Sequence, residues 1–131
     1  MAELQCIVVT PERTVRDTPA DFVVLTLFDG EIGIAPGHTP LIGRLGSGEM
    51  RIRQGEATAR YYVEGGFVEV VGNVVSVLTN RAIPAETIDA KAVAAQLETS
   101  RAQAVATPEQ RIARQQAIEH SQAQLRVARH G

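Results

Sequence analysis

His38 is set in Pro36-Gly37-His38-Thr39-Pro40, where two prolines and a glycine restrict the backbone and could hold an imidazole toward a ligand. A metal site or a proton shuttle would need a second histidine, a thiol or a carboxylate cluster at ligand spacing. The other histidines, His120 and His130, lie far along the chain and at a spacing that does not share a helix face. His38 therefore reads as a loop residue that hydrogen-bonds locally or at an interface. The single cysteine, Cys6, lies inside an apolar run and reads as a small core residue, and one thiol gives neither a disulfide framework nor a cysteine-based zinc site. Gly43-Arg44-Leu45-Gly46-Ser47-Gly48 has the glycines of a phosphate cradle but not the Lys-Ser/Thr ending of a P-loop. It also precedes a strand-like stretch rather than a helix, so these read as turn glycines. Glu64-Gly65-Gly66 likewise reads as a bulge or turn. No serine sits with a histidine and a carboxylate in motif form. Asp29 and Glu31 flank Gly30 and are expected to point outward from a turn, as a solvated loop or as an interaction surface. No catalytic constellation emerges, and no cofactor or metal is expected.

Bulk properties narrow the partners. The chain has 131 residues, with 13 Lys+Arg against 15 Asp+Glu and a formal net charge of −2. That balance gives no global field for nucleic acid. No apolar run reaches membrane-spanning length, and the N-terminus lacks a basic stretch leading into an apolar segment, so neither a membrane-spanning nor a secreted chain is expected. The length suits one compact domain with an appendage, or two very small domains, in a reducing, cytoplasmic setting.

Composition divides the chain in two. All the aromatics (Phe22, Phe28, Tyr61, Tyr62, Phe67) and every glycine but Gly131 fall in the first part; from about Asp89 onward Ala, Gln, Arg and Glu dominate. Turn-forming and large apolar residues favour sheets, and small or straight-chain residues favour helices. A boundary is expected at residues 84–87, giving a β-domain over 1–86 and a helical arm over 87–131. In the first part, Leu4–Val9 and residues 22–28 are apolar runs closed by turn signals, while residues 50–53 and 58–63 alternate and should have one wet face each. Phe67–Val71, Gly72-Asn73 and Val74–Leu78 read as a two-residue hairpin. Pairing Val71 with Val74 puts Val68, Val70, Val75 and Val77 on one face, taken as core. In the second part, Asp89 can cap a helix carrying Val93, Leu97, Ser100 and Ala104 along one side. Thr107-Pro108-Glu109-Gln110 combines an N-cap, a proline at the first helical position and a capping-box glutamine, and Ala117, Ile118, Ser121, Leu125 and Ala128 follow on one side. Both stripes are alanine-rich, so the arm should be held weakly. The expected fold class is α+β, mostly β: a β-sandwich followed by an antiparallel two-helix hairpin.

Taken in order, these residues resemble the epsilon-subunit family of F-type ATP synthases. Residues 29–41, Asp-Gly-Glu-Ile-Gly-Ile-Ala-Pro-Gly-His-Thr-Pro-Leu, are similar to its signature loop almost position for position. Glu64-Gly65-Gly66-Phe67-Val68-Glu69-Val70 with residues 73–78 resembles a second block; Ile88-Asp89 and residues 123–127 follow family usage too. The resemblance implies a non-catalytic rotor subunit of the central stalk. Its sandwich would bind the γ subunit and sit on the c-ring, with Asp29, Gly30, Glu31 and His38 at the rotor contact. Its helices would reach the α/β catalytic head and inhibit ATP hydrolysis, and its membrane association would be peripheral, on the cytoplasmic face, through the complex. Some members bind ATP through Ile/Leu-Asp-x-x-Arg-Ala. Here that stretch is Ile88-Asp89-Ala90-Lys91-Ala92-Val93, so Ala92 stands in place of the arginine. Asp89, Arg111 and Arg114 remain as nucleotide-contact candidates, and tight ATP binding is not expected. Two other readings compete: a stand-alone sandwich adaptor that binds a partner helix, and a small β-barrel enzyme around His38.

Overall fold

Short strands that alternate apolar and polar residues must cover one face each, and this chain covers them by packing two sheets against each other. A computed structural model gives the fold of residues 3–129; His130 and Gly131 lie outside the described residues. The strands are β1 (Leu4–Val9), β2 (Thr14–Ala20), β3 (Phe22–Leu27), β4 (Gly30–Ile34), β5 (Leu41–Arg44), β6 (Ser47–Gln54), β7 (Ala57–Glu64), β8 (Phe67–Val71), β9 (Val74–Leu78) and β10 (Ala82–Pro84). A 3₁₀ turn at Ala85–Thr87 leads to α1 (Ala90–Ala102) and α2 (Pro108–Arg129). The first sheet has the order β2-β1-β9-β8-β5 and the second β10-β7-β6-β3-β4. Between them lie Leu4, Cys6 and Val8 of β1, Val23 and Leu25 of β3, Met50 and Ile52 of β6, and Val68, Val70, Val75 and Val77 of β8 and β9.

The β8–β9 hairpin has the expected register, with Val71 opposite Val74, and Val68, Val70, Val75 and Val77 are all buried. Its turn places Gly72 at φ +57° and Asn73 at φ +64°, the pair of left-handed residues that a tight hairpin needs. The crossing from the second sheet to the first runs through Gly65 and Gly66. A Cβ on Gly66 would fall 1.9 Å from the carbonyl oxygen of Leu78, so only glycine lets the chain pass there.

Several expectations are corrected. Asp29 lies in the β3–β4 turn as expected, but Gly30 and Glu31 already belong to β4, which pairs antiparallel with β3. The glycine-rich stretch 43–48 is not mainly turn, since Gly43 lies in β5 and Gly48 in β6. Gly43 has the Leu27 side chain beside its Cβ direction and Gly48 has Thr26, so these positions admit a crossing neighbour. β2 carries a proline and charges and the short β10 a proline, which hide strand character and are tolerated because both lie at sheet edges. The outer side of residues 58–63 is not wet throughout: Tyr62 is fully buried there, because α2 covers it.

Both helix starts are as read. Asp89 Oδ1 accepts the Ala92 N–H, Thr107 Oγ1 accepts from Gln110 N–H, and Gln110 Oε1 accepts from Thr107 N–H. Val93 and Leu97 meet Leu125 and Ile118 in the seam between helices. Ala104 lies beyond the end of α1 and is exposed. Helix α2 also buries Ala123, Gln124 and Val127, outside the expected stripe, because its C-terminal half packs on α1 and on β6 and β7 at once.

Candidate interaction surfaces

On the outer face of the first sheet, the residues alternating with the buried valines are themselves apolar. Phe67 pairs with Leu78 and Val71 with Val74 across the hairpin, and all four are exposed; Ile42 on β5, opposite Glu69, is 74% exposed. This makes an apolar face with Glu69 and Ser76 at its middle. An uncovered apolar face of this kind marks a docking site for another macromolecule. The signal was present in the sequence, since every position of β8 and β9 except Glu69 and Ser76 is apolar.

The β3–β4 tip lies beside the Phe67 end of this face. Phe28 N–H donates to the Arg44 carbonyl at 2.8 Å, the Arg44 guanidinium lies 5.3 Å from the centre of the Phe28 ring, and Arg44 pairs with Phe67. Phe28, Asp29 and Gly30 are exposed at the tip. Glu31 projects from β4, its side chain 57% exposed, with the Arg51 guanidinium 3.7 Å away. The apolar face thus adjoins the tip through Phe28 and Arg44, while the Glu31 side chain turns to Arg51 on the outer side of the second sheet.

His38 is elsewhere. Its N–H donates to the Ala35 carbonyl at 3.1 Å, and Nδ1 lies 2.7 Å from the Thr39 carbonyl, an acceptor, so Nδ1 carries a proton. Gly37 N–H donates to Asn73 Oδ1 at 2.7 Å, which fastens this loop to the β8–β9 turn. The loop leaves β4 at the end opposite the tip, about 15 Å away at the strand rise per residue. The structure groups Asp29, Gly30 and Glu31 and separates His38 from them.

The nucleotide-contact candidates are also separated. Asp89 caps the start of α1, whereas Arg114 Nε and Nη2 donate to the Ser100 and Arg101 carbonyls at its end. These ends lie about 20 Å apart along the helix. Arg111 stands exposed on α2 one turn before Arg114. Arg114 therefore ties the two helices together, a use that spacing alone did not suggest.

The outer face of the second sheet has the opposite character. Glu49, its side chain only 9% exposed, accepts from Arg51 Nη1 at 2.7 Å and from Arg60 Nε at 2.9 Å, and Arg60 Nη2 donates on to the Val127 carbonyl of α2 at 2.8 Å. The hydrogen bond to Glu49 holds the Arg51 guanidinium above its ordinary value. Two residues along β7, burial and a hydrogen bond to Glu64 push the Tyr62 phenol above its usual range. In the core, burial pushes the Cys6 thiol up to about 12, so it stays protonated and unreactive at neutral pH. Among the described residues no cluster of three His, Cys, Asp or Glu could hold a metal ion, and no helix is long and apolar enough to cross a membrane.

Two sheets about a shared apolar core, an apolar outer face beside the β3–β4 tip and a docked helix pair define a small β-sandwich module with a helical arm. Residues 3–85 match the family described as the ATP synthase delta/epsilon chain, β-sandwich domain, and the chain belongs to that family. It is 44% identical over 126 residues to the ATP synthase epsilon chain of Rhodopirellula baltica, covering 96% of this chain and 98% of that one. It is 38% identical over 116 residues to the ATP synthase epsilon chain of Thermosynechococcus vestitus, covering 88% and 83%. Among solved structures it resembles a chain of the Euglena gracilis mitochondrial ATP synthase OSCP/F1/c-ring assembly, at a TM-score of 0.84 and 25% identity over 94% of this chain and 79% of that chain. A chain from the central stalk and c-ring of the Tetrahymena thermophila mitochondrial enzyme shares the fold, at a TM-score of 0.70 and 16% identity over 97% of each.

Proposed function

We propose that the chain is a non-catalytic rotor subunit that couples ion movement through the c-ring to ATP synthesis and restrains ATP hydrolysis through its helices. The sandwich, residues 1–86, docks on the γ subunit through the apolar outer face of the first sheet. Asp29, Gly30 and Glu31 meet the c-ring, and His38 serves the rotor contact from the other end of the same edge. The arm, residues 87–131, leaves the sandwich to reach the α/β head. The complex sits on the cytoplasmic face of the membrane, and the chain is peripheral to it.

The observation that carries this reading is that the exposed apolar face adjoins the exposed β3–β4 tip, the two joined by Arg44 against Phe28 and Phe67. A subunit wedged between a protein shaft and a ring beneath it needs one surface for each, at adjoining positions. The test is recovery from membranes. The wild-type chain should bring down γ and the c-ring, whereas Phe67→Asp with Leu78→Asp should lose γ while melting within a few degrees of wild type, because both side chains are exposed. Unchanged recovery of γ by the double variant would show that the shaft docks elsewhere.

A further inference from the structure

Along β7 every second residue meets α2. Arg60 Nη2 donates to the Val127 carbonyl at 2.8 Å, Tyr62 packs with Ala123 and Val127, and Glu64 Oε1 lies 3.5 Å from His120 Nδ1. Residues two apart on a strand and three or four apart on a helix repeat at similar lengths, so the helix lies along the strand in three successive rungs. Helix α1 rides on α2, bound to it through Val93, Leu97 and Leu125 and through Arg114 at its end. The arm as a whole is therefore held where α2 meets β6 and β7 and the turn at Ala85–Thr87.

We infer that Arg60 is the latch of this arm, a positioning residue that decides whether the hairpin rests on the sandwich. The apolar rung alone is small: Tyr62 faces one alanine and one valine of α2, with Ala85, Ile83 and Ile88 alongside. Arg60 adds a directed bond at the last turn of the helix, where carbonyls lack in-helix donors and the helix dipole is negative. Its guanidinium is aimed before the helix arrives. The buried Glu49 carboxylate, itself held by Arg51, grips Arg60 through Nε and Nη2 and turns the second Nη2 N–H toward α2. A pre-aimed fork loses little freedom on binding the carbonyl, so the contact is both specific and reversible.

The regulatory consequence rests on the proposed function, in which a detached arm reaches the catalytic head; the latch itself does not. Two measurements keep them apart. In the isolated full-length chain, Arg60→Met should speed amide exchange tenfold or more over residues 118–129 and leave the β8–β9 amides at wild-type rates. The paired variant Glu49→Gln with Arg60→Met, which removes the carboxylate along with its partner, should do the same if the single variant folds poorly. Unchanged exchange in α2, or equal acceleration in β8 and β9, overturns the latch. In the assembled enzyme, the loosened arm should lower ATP hydrolysis relative to wild type. Faster α2 exchange with unchanged hydrolysis keeps the latch and overturns the inhibitory reading.

Discussion

The two outer faces of the sandwich invert the usual rule. The face that a helix covers carries charges, Glu49, Arg51 and Arg60, while the uncovered face carries Ile42, Phe67, Val71, Val74 and Leu78. An apolar face left open by its own chain is shaped for a partner that stays, since leaving would return that surface to water. A charged face covered by a helix is shaped for a contact that can be exchanged, because its polar groups are satisfied by protein or by solvent. Under the proposed function, the difference separates the half that anchors from the half that moves.

Three experiments would break or sharpen that contrast. The largest effect should come from between the two faces. Val70→Asp places a charge without a partner among Val68, Val75 and Val77, costs several kcal/mol, and should leave no cooperatively melting protein. A soluble, two-state variant would mean that the hairpin register is wrong. Next in size is removal of the movable half. A chain ending at Thr87 should retain a folded β-domain that binds γ, with hydrolysis by the complex equal to wild type or higher and synthesis preserved. Collapse of the fold would show that the charged face needs its cover and that the arm is structural. The smallest effect on stability should come from the tip. Asp29→Ala with Glu31→Ala should shift melting by no more than a few degrees, since both carboxylates are exposed, while coupled proton pumping in reconstituted vesicles falls. Intact coupling with lost stability would reassign the tip to folding.

The same contrast explains what was legible in the sequence. Runs that bury apolar residues in a local pattern could be read directly: β1, the β8–β9 hairpin with its register, and both helix caps. Edge elements could not. β2 reads Thr-Val-Arg-Asp-Thr-Pro-Ala and becomes a strand because β1 lends it a partner along its whole length. β4 gives little strand signal because Gly30 and Gly33 dilute its apolar residues, although Ile34 is fully buried. Of the site, the acidic tip was legible as a pair of carboxylates about a glycine. His38 stands about 15 Å from that tip, because a strand that no linear motif announces runs between them. The seam on α2 was invisible for a different reason. Arg60 binds a backbone carbonyl, and every residue has one, so no residue type near position 127 could have announced the bond.

The place of β1 bears on how the chain is made. It lies between β2, its neighbour in sequence, and β9, with which it runs parallel from Gln5 opposite Val74 to Val9 opposite Leu78. During synthesis the first strand therefore waits with one edge open until nearly all of the sandwich has emerged. Closing so long a loop, and closing it in parallel, makes for slow assembly relative to hairpins formed between successive strands. The apolar run of β1 is the segment most exposed to wrong pairing in that interval. The charges of β2, which cover its other edge as soon as they are made, shield the nascent chain on one side only.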